Sequence, residues 1–241
     1  MNAMYRHEYK YYAKEDVLSA LEQRMQTILS HDSHVEQNGS YQVRSLYFDN
    51  MYNSCYRDIE AGTDPREKFR IRIYGSSSSV INLELKRKQH GLTEKLSCPL
   101  SAERCKRILD GKIPDFKNDD SQLYKHFWVA MQSLMLRPAC IVTYDRTPYI
   151  WQQRGKIISA CNVRVTFDRN IRSSSDFSRF FDKTPPSRLV LQTGSNLMEV
   201  KYNSFLPDFI YESLQTNKLR ETNFSKYYLC RKFNMTGKKI A

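Results

Sequence analysis

A glutamate and a lysine stand two residues apart at three places inside otherwise apolar, β-prone segments: Glu8 and Lys10, Glu84 and Lys86, Glu199 and Lys201. In a strand, residues i and i+2 point to the same side of the sheet, so each pair sets a carboxylate beside an ammonium. Phe69-Arg70-Ile71-Arg72-Ile73 repeats the spacing, with two guanidinium groups on one face and three apolar side chains on the other. Val163-Arg164-Val165-Thr166-Phe167-Asp168 alternates in the same way. An antiparallel sheet with one wet face would alternate like this and simply solvate its charges. Here the polar faces are not mixed. Lys10, Lys68, Arg70, Arg72, Lys86, Lys88, Lys95, Arg164 and Lys201 are set against a few glutamates. Gathered on one side, such cations repel unless a multivalent anion sits among them. The pattern reads as a surface for phosphate chains, with Glu199, Glu8 and Glu84 available to hold a divalent metal.

Composition agrees with an anionic partner. Over 241 residues, 38 Lys and Arg against 26 Asp and Glu give a net charge of +12. The chain contains neither GxxxxGK[ST] nor GxGxxG, so no glycine-rich phosphate loop is expected. Six cysteines are scattered without a CxxC pair, as expected of reduced, mostly buried thiols in a cytoplasmic protein. No apolar run approaches the length of a membrane span. The five histidines show no metal-ligand spacing and are expected to be structural or exposed.

The elements that must position these charges follow from periodicity. Tyr5–Tyr12 reads as a strand and Lys14–Leu29 as an amphipathic helix with Val17, Leu21, Met25 and Ile28 inward. Tyr41–Phe48 is a strand ending in the turn pair Asp49-Asn50, and a short helix is expected over 52–61. Strands near 67–74, 80–88 and 92–98 follow as a meander. Ser101 caps a helix to Leu109; Asp119 or Asp120 caps another that buries Leu123, Phe127, Met131 and Leu134. Arg137–Ile150 and Lys156–Arg169 make a long hairpin about Arg154-Gly155, and Ser173–Pro186 reads as a loop. Ser187–Gln192 and Asn196–Tyr202 are expected to pair as a last hairpin, before helices near 206–216 and 225–232. No linker divides the chain, so one domain over 1–241 is expected. About eight strands, each with a charged face, suit an α+β fold: an antiparallel β-barrel tunnel with a charged interior and helices packed outside. Burying unpaired cations costs several kcal/mol per ion, so the tunnel must be wet or hold an anion.

Several segments carry a family resemblance: Arg6-His7-Glu8-Tyr9-Lys10-Tyr11, Ser45-Leu46-Tyr47-Phe48-Asp49-Asn50, Lys68-Phe69-Arg70-Ile71-Arg72-Ile73-Tyr74 and Leu83-Glu84-Leu85-Lys86. Tyr144-Asp145-Arg146, Glu199-Val200-Lys201 and Phe224-Ser225-Lys226-Tyr227 continue it in order. Together they resemble the VTC domain, the polyphosphate polymerase domain of the vacuolar transporter chaperone complex, within the triphosphate tunnel metalloenzyme superfamily. The resemblance implies a tunnel that binds triphosphate or polyphosphate through Lys10, Arg70, Arg72, Lys86, Lys95, Arg146, Arg164 and Lys226, with Lys201 alongside. It implies a divalent metal, Mn or Mg, at Glu199, and transfer of the γ-phosphoryl group of ATP to a growing chain. Lys226, with Arg70 and Arg72, is placed at the transferred group. The superfamily's hydrolases commonly carry ExExK at the first strand; here Arg6 takes the first position, which favours a more basic, polyphosphate-type tunnel.

Phosphoryl transfer suits these residue types, because it needs alignment, charge neutralisation and a metal rather than a covalent nucleophile. Arg70 and Arg72 are directed by their apolar neighbours, whereas Arg146 shares its face with Val142 and Tyr144 and rests on the resemblance. Lys226 lies at a helix start, where backbone N–H groups also favour anions. Two other readings stand beside the polymerase. One is a hydrolase of inorganic, nucleoside or thiamine triphosphate; the other is a polyanion-binding module without catalysis. RNA is disfavoured because carboxylates in a nucleic-acid groove repel phosphate. The expected partners are ATP and polyphosphate or triphosphate, with a membrane-protein partner left open and no direct membrane span.

Overall fold

The computed structural model describes residues 7–32, 35, 39–152, 162–203, 205–223 and 225–240. Along the chain come β1 (His7–Lys14), α1 (Glu15–Ile28), β2 (Ser30–His31), β3 (Tyr41–Asp49), α2 (Ser54–Glu60) and β4 (Arg66–Tyr74). Next are β5 (Asn82–Gln89), β6 (Leu92–Pro99), α3 (Ala102–Leu109), α4 (Gln122–Ser133), β7 (Arg137–Gln152) and β8 (Asn162–Ser174). A 3-10 turn at Phe177–Arg179 precedes β9 (Arg188–Leu189), β10 (Ser195–Tyr202), α5 (Asp208–Leu214), β11 (Arg220–Glu221) and α6 (Lys226–Thr236). Tyr5, Arg6, Lys156 and the Arg154-Gly155 turn lie outside the described residues.

All eleven strands join one antiparallel sheet in the order β11-β1-β10-β8-β7-β3-β4-β5-β6, with β2 added to β7 and β9 to β8. The sheet curls into a half-barrel. Glu8 of β1 and Lys86 of β5 form an ion pair although five strands separate theirs in the order, and only curling brings them together.

The curl follows from the alternation. One side of each long strand is mostly apolar and carries the helices. Leu46 and Phe48 of β3, Phe69, Ile71 and Ile73 of β4, and Leu83 and Leu85 of β5 pack with Cys105 and Ile108 of α3 and Phe127 and Met131 of α4. Farther round, Val165 and Phe167 of β8 and Met198 and Val200 of β10 take α1 and α5 through Leu18, Leu21, Met25 and Ile210. At roughly 25 cal/mol per Å² of apolar surface, this outer layer supplies the main stabilisation and leaves the opposite face polar. One end of that polar face turns apolar, with Val43, Tyr47, Cys140, Val142 and Tyr144, and there α6 packs through Tyr227, Leu229 and Cys230.

Four local expectations are corrected. Ser121, not Asp119 or Asp120, caps α4 by accepting from the Tyr124 N–H; Asp120 instead takes the fork of Arg104 at 2.6 and 2.8 Å. Leu134 falls at that helix's C-cap and is exposed, so the buried stripe ends at Met131. The last hairpin does not form: β9 pairs with β8, while β10 pairs with β1 and β8. Val190 and Leu191 are drawn into the α6 cluster, and Gln192 N–H donates to Ile240, which carries the segment away from β10. Likewise β8 runs on to Ser174, so the expected loop starts later.

If the outer layer is purely structural, Phe127→Ala should cost about 3–5 kcal/mol, read as a shift in urea midpoint. A loss below about 1 kcal/mol would mean that α4 is not packed on the sheet.

Candidate functional site

The ladders set opposite charges face to face. Glu8 lies across from Lys201 and Lys10 across from Glu199 between β1 and β10; Arg70 lies across from Glu84 between β4 and β5; Arg146 lies across from Asp168 between β7 and β8. Elsewhere like charges meet. Lys86 stands between Lys68 on β4 and Lys95 on β6, an arrangement that destabilises a sheet unless counter-charge is near.

The counter-charge comes as three knots. Glu84, 2 % exposed, takes Arg70 at 2.5 Å, Lys95 at 2.6 Å and Arg72 at 3.9 Å. Glu8 takes Lys86, Lys201 at 3.4 Å and Lys10 at 3.9 Å. The third knot holds two carboxylates. Asp168 receives the Arg146 fork at 2.7 Å on both oxygens and Lys226 at 2.6 Å. Beside it, Glu199 receives Lys226 at 2.5 Å, Lys201 at 3.1 Å and Arg146 at 3.5 Å. Aromatic hydroxyls complete the lattice: Tyr47 accepts from Arg70 at 3.0 Å and Tyr144 from Arg72 at 3.3 Å, and the Lys226 ammonium lies 5.0 Å from the Tyr144 ring centroid.

Burial alone would push these carboxyls up, but the neighbouring cations reverse the shift. Lys201, Lys86 and Lys10 hold Glu8 well below the usual range; Arg70, Arg72 and Lys95 do the same to Glu84. Glu199 is lowered against its burial by Lys201, Lys226 and Arg146, and Asp168 by Arg146 and Lys226. Burial likewise opposes the charge on Lys226, yet Asp168 and Glu199 raise its pKa. Lys68 is the exception. Burial first, then Lys86, Lys10 and Arg70, push it well below the ordinary lysine value. Among the described residues no carboxylate pairs with it; its ammonium rests 5.5 and 5.6 Å from the Tyr47 and Tyr227 ring centroids.

Of the expected site residues, Lys10, Arg70, Arg72, Lys86, Lys95, Arg146, Lys201, Lys226, Glu8, Glu84 and Glu199 all belong to these knots. Arg164 stands apart, bound to Asp32 at 2.8 Å and to the Tyr41 hydroxyl at 2.9 Å. The three glutamates do not form one cluster: Glu84 shares no cation with Glu8 or Glu199. Glu199 is joined instead by Asp168, which the sequence reading had placed on the right face without giving it a role. Tyr144 and Tyr47 add hydroxyl contacts that strand packing alone does not foresee. Their alternation with Arg146 and with Ser45 was the available signal. A cavity of about 290 Å³ opens beside the Glu8 knot, lined by Lys10, Arg66, Lys68, Lys86, Lys88 and Ser225 among others. Here Ser225 caps α6 by accepting from Tyr228, which makes Lys226 the first helical residue.

A pH dependence follows. Burial lowers Lys86 and Lys95 to about 8, against the ordinary 10.5, despite their glutamate partners. Both lose charge as pH rises through 8, so tripolyphosphate affinity should fall several-fold between pH 7 and 9.5. Over the same interval the unfolded chain holds more protons than the folded one, so these two lysines make the free protein more stable as pH rises. Calorimetric titration and thermal melts across that range check both signs; affinity that climbs with pH would contradict the assignment.

Comparison with known proteins identifies both the fold and the family. A candidate adenylyl cyclase from Hippeastrum, described as having a dominant triphosphatase activity, superposes with a TM-score of 0.52 at 11% identity, over 95% of this chain and 96% of that one. The likeness shows a shared fold. A candidate adenylate cyclase from Bacillus halodurans gives a TM-score of 0.47 at 12% identity, covering 89% of this chain and 88% of that one. None of the curated proteins matches the chain. The family model of the VTC domain matches residues 5–234, a span that contains every residue of the three knots, and the chain therefore belongs to the VTC domain family.

Proposed function

We propose that the protein is a metal-dependent phosphotransferase that moves the γ-phosphoryl group of ATP onto a growing polyphosphate chain. The observation that carries this reading is the charge of the inner face. Among the described residues, ten cations (the nine expected bases and Lys68) meet Glu8, Glu84, Asp168, Glu199 and Asp32, and no carboxylate there pairs with Lys68. A bound triphosphate brings about four to five negative charges. One triphosphate balances the five charges left over; Arg66 and Lys88, which line the same cavity, and the two charges of a bound divalent cation carry the excess that suits a longer anion.

In this reading Arg70, Arg72 and Arg146 grip phosphate oxygens through their forks, while Lys10, Lys86, Lys95, Lys201 and Lys68 act as point charges along the chain. Lys226, buried and kept protonated by Asp168 and Glu199, faces the transferred group and neutralises the charge spread over its oxygens. The donor set fits a hard divalent cation: Glu199 and Asp168 are adjacent, ionised oxygen ligands, and Mg²⁺-type ions are held by one or two carboxylates plus substrate phosphates. Glu8, linked to Glu199 through Lys201, is the next carboxylate. When bound, the metal supplies charge neutralisation and alignment of phosphate oxygens.

Hydrolysis of a triphosphate is the second reading, favoured by the triphosphatase activity described for the Hippeastrum protein. Product analysis separates the two. Incubation with γ-labelled ATP and Mn²⁺, with a short polyphosphate primer, should place the label in long chains on a gel. Orthophosphate as the sole labelled product would establish the hydrolase instead. Glu199→Gln should lower turnover by about 10²-fold or more; wild-type turnover in that variant, or activity in excess EDTA, would defeat the metal assignment.

A further inference from the structure

Asp49 and Tyr227 belong to the two segments that bring Tyr47 and Lys226 to the site, but neither has been given a role there, and the structure joins them. Asp49 ends β3 and is 3 % exposed. Its Oδ1 accepts from the Asn50 and Cys55 N–H groups, both at 2.9 Å, and its Oδ2 accepts from the Tyr56 N–H at 3.1 Å and from the Tyr227 hydroxyl. The backbone donors explain why a carboxylate ends β3, since it caps α2. They do not explain the phenol, which reaches in from α6. Fully buried, Tyr227 also packs its ring 5.2 Å from that of Tyr47, whose hydroxyl takes Arg70.

Lys226 is the residue before Tyr227 and the first of α6. Successive helical side chains diverge by about 100°, so the two grip different walls. Tyr227 holds β3, and Lys226 holds Asp168 on β8 and Glu199 on β10. A terminal helical residue is set by few backbone bonds, which leaves the helix's rotation to its side chains. The geometry points to Asp49 as a positioning residue for the reaction: through the Tyr227 hydroxyl it fixes the rotation of α6 and thereby the place of the Lys226 ammonium. This rests on the reading that Lys226 acts on the transferred phosphoryl group. A displacement near 1 Å can cost about 10²-fold in rate, so a contact remote from the chemistry has leverage.

Because Asp49 also caps α2, Asp49→Asn can fail by unfolding. Tyr227→Phe is the cleaner variant: it keeps the ring contact with Tyr47 and every backbone contact to Asp49. Turnover with ATP and Mn²⁺, and tripolyphosphate binding by calorimetry, are measured for Tyr227→Phe, Lys226→Met and the double variant. The expected result is a kcat at least five-fold lower in Tyr227→Phe with Kd changed less than two-fold. The double variant should then be no slower than Lys226→Met alone, because the hydroxyl acts only through the ammonium. Wild-type kcat in Tyr227→Phe, or losses that multiply in the double variant, overturn the inference and leave the proposed function standing. Wild-type turnover in Lys226→Met overturns both.

Discussion

Mutual repulsion among cations that share one face of the sheet is the constraint on which the rest of this structure depends. Lys68, Lys86 and Lys95 lie side by side across three strands, and Arg70 and Arg72 point the same way. At an effective dielectric of 20, two such charges 4 Å apart repel by about 4 kcal/mol. The protein answers with a few carboxylates, each shared by several cations. Glu84 serves three, Glu8 three, and Glu199 with Asp168 another three, Lys201 being common to two knots. The neutralisation is incomplete, and the uncompensated part is what an anionic substrate would relieve.

This constraint also accounts for the architecture. A face so charged cannot be pressed against another protein layer, so the helices must cover the opposite, apolar side, and the sheet curls with its polar face inward. The Glu8–Lys86 pair then acts across the curl and links distant strands. Helix α6 covers only the end where the inner face turns apolar, and its first residue delivers Lys226 to the carboxylate pair. Structural and functional roles therefore separate by side. The outer side chains and the apolar cluster under α6 hold the fold, while the crowded inner cations are costly to it.

Much of this was legible in the sequence, because period-two alternation fixes a side chain's direction wherever the opposite residues are apolar. Arg70, Arg72, Glu84, Lys86, Glu199 and Lys201 were readable for that reason. Asp168 was directed correctly but not recognised, since alternation says where a carboxylate points and not what meets it; the partner Arg146 lies on another strand. Tyr144 and Tyr47 were hidden by chemistry, as a ring packs and its hydroxyl binds. The false hairpin at 187–202 reflects a limit of local signals. A turn at Gly194 was real, but the contacts of Val190 and Leu191 with the C-terminal helix decided the pairing. The two-residue strands β2 and β11 are too short to show any period.

If the inward charged face is the seat of phosphate binding, a bound anion must lie among its arginines. A crystal structure of the protein grown with tripolyphosphate and Mn²⁺, phased to show anomalous scattering from the metal, tests it most directly. One chain of phosphate density is expected within reach of Arg70, Arg72 and Arg146, with a manganese peak beside Glu199 and Asp168. Phosphate density confined to the outer, helix-bearing surface, with an unchanged inner lattice of ion pairs, would contradict it.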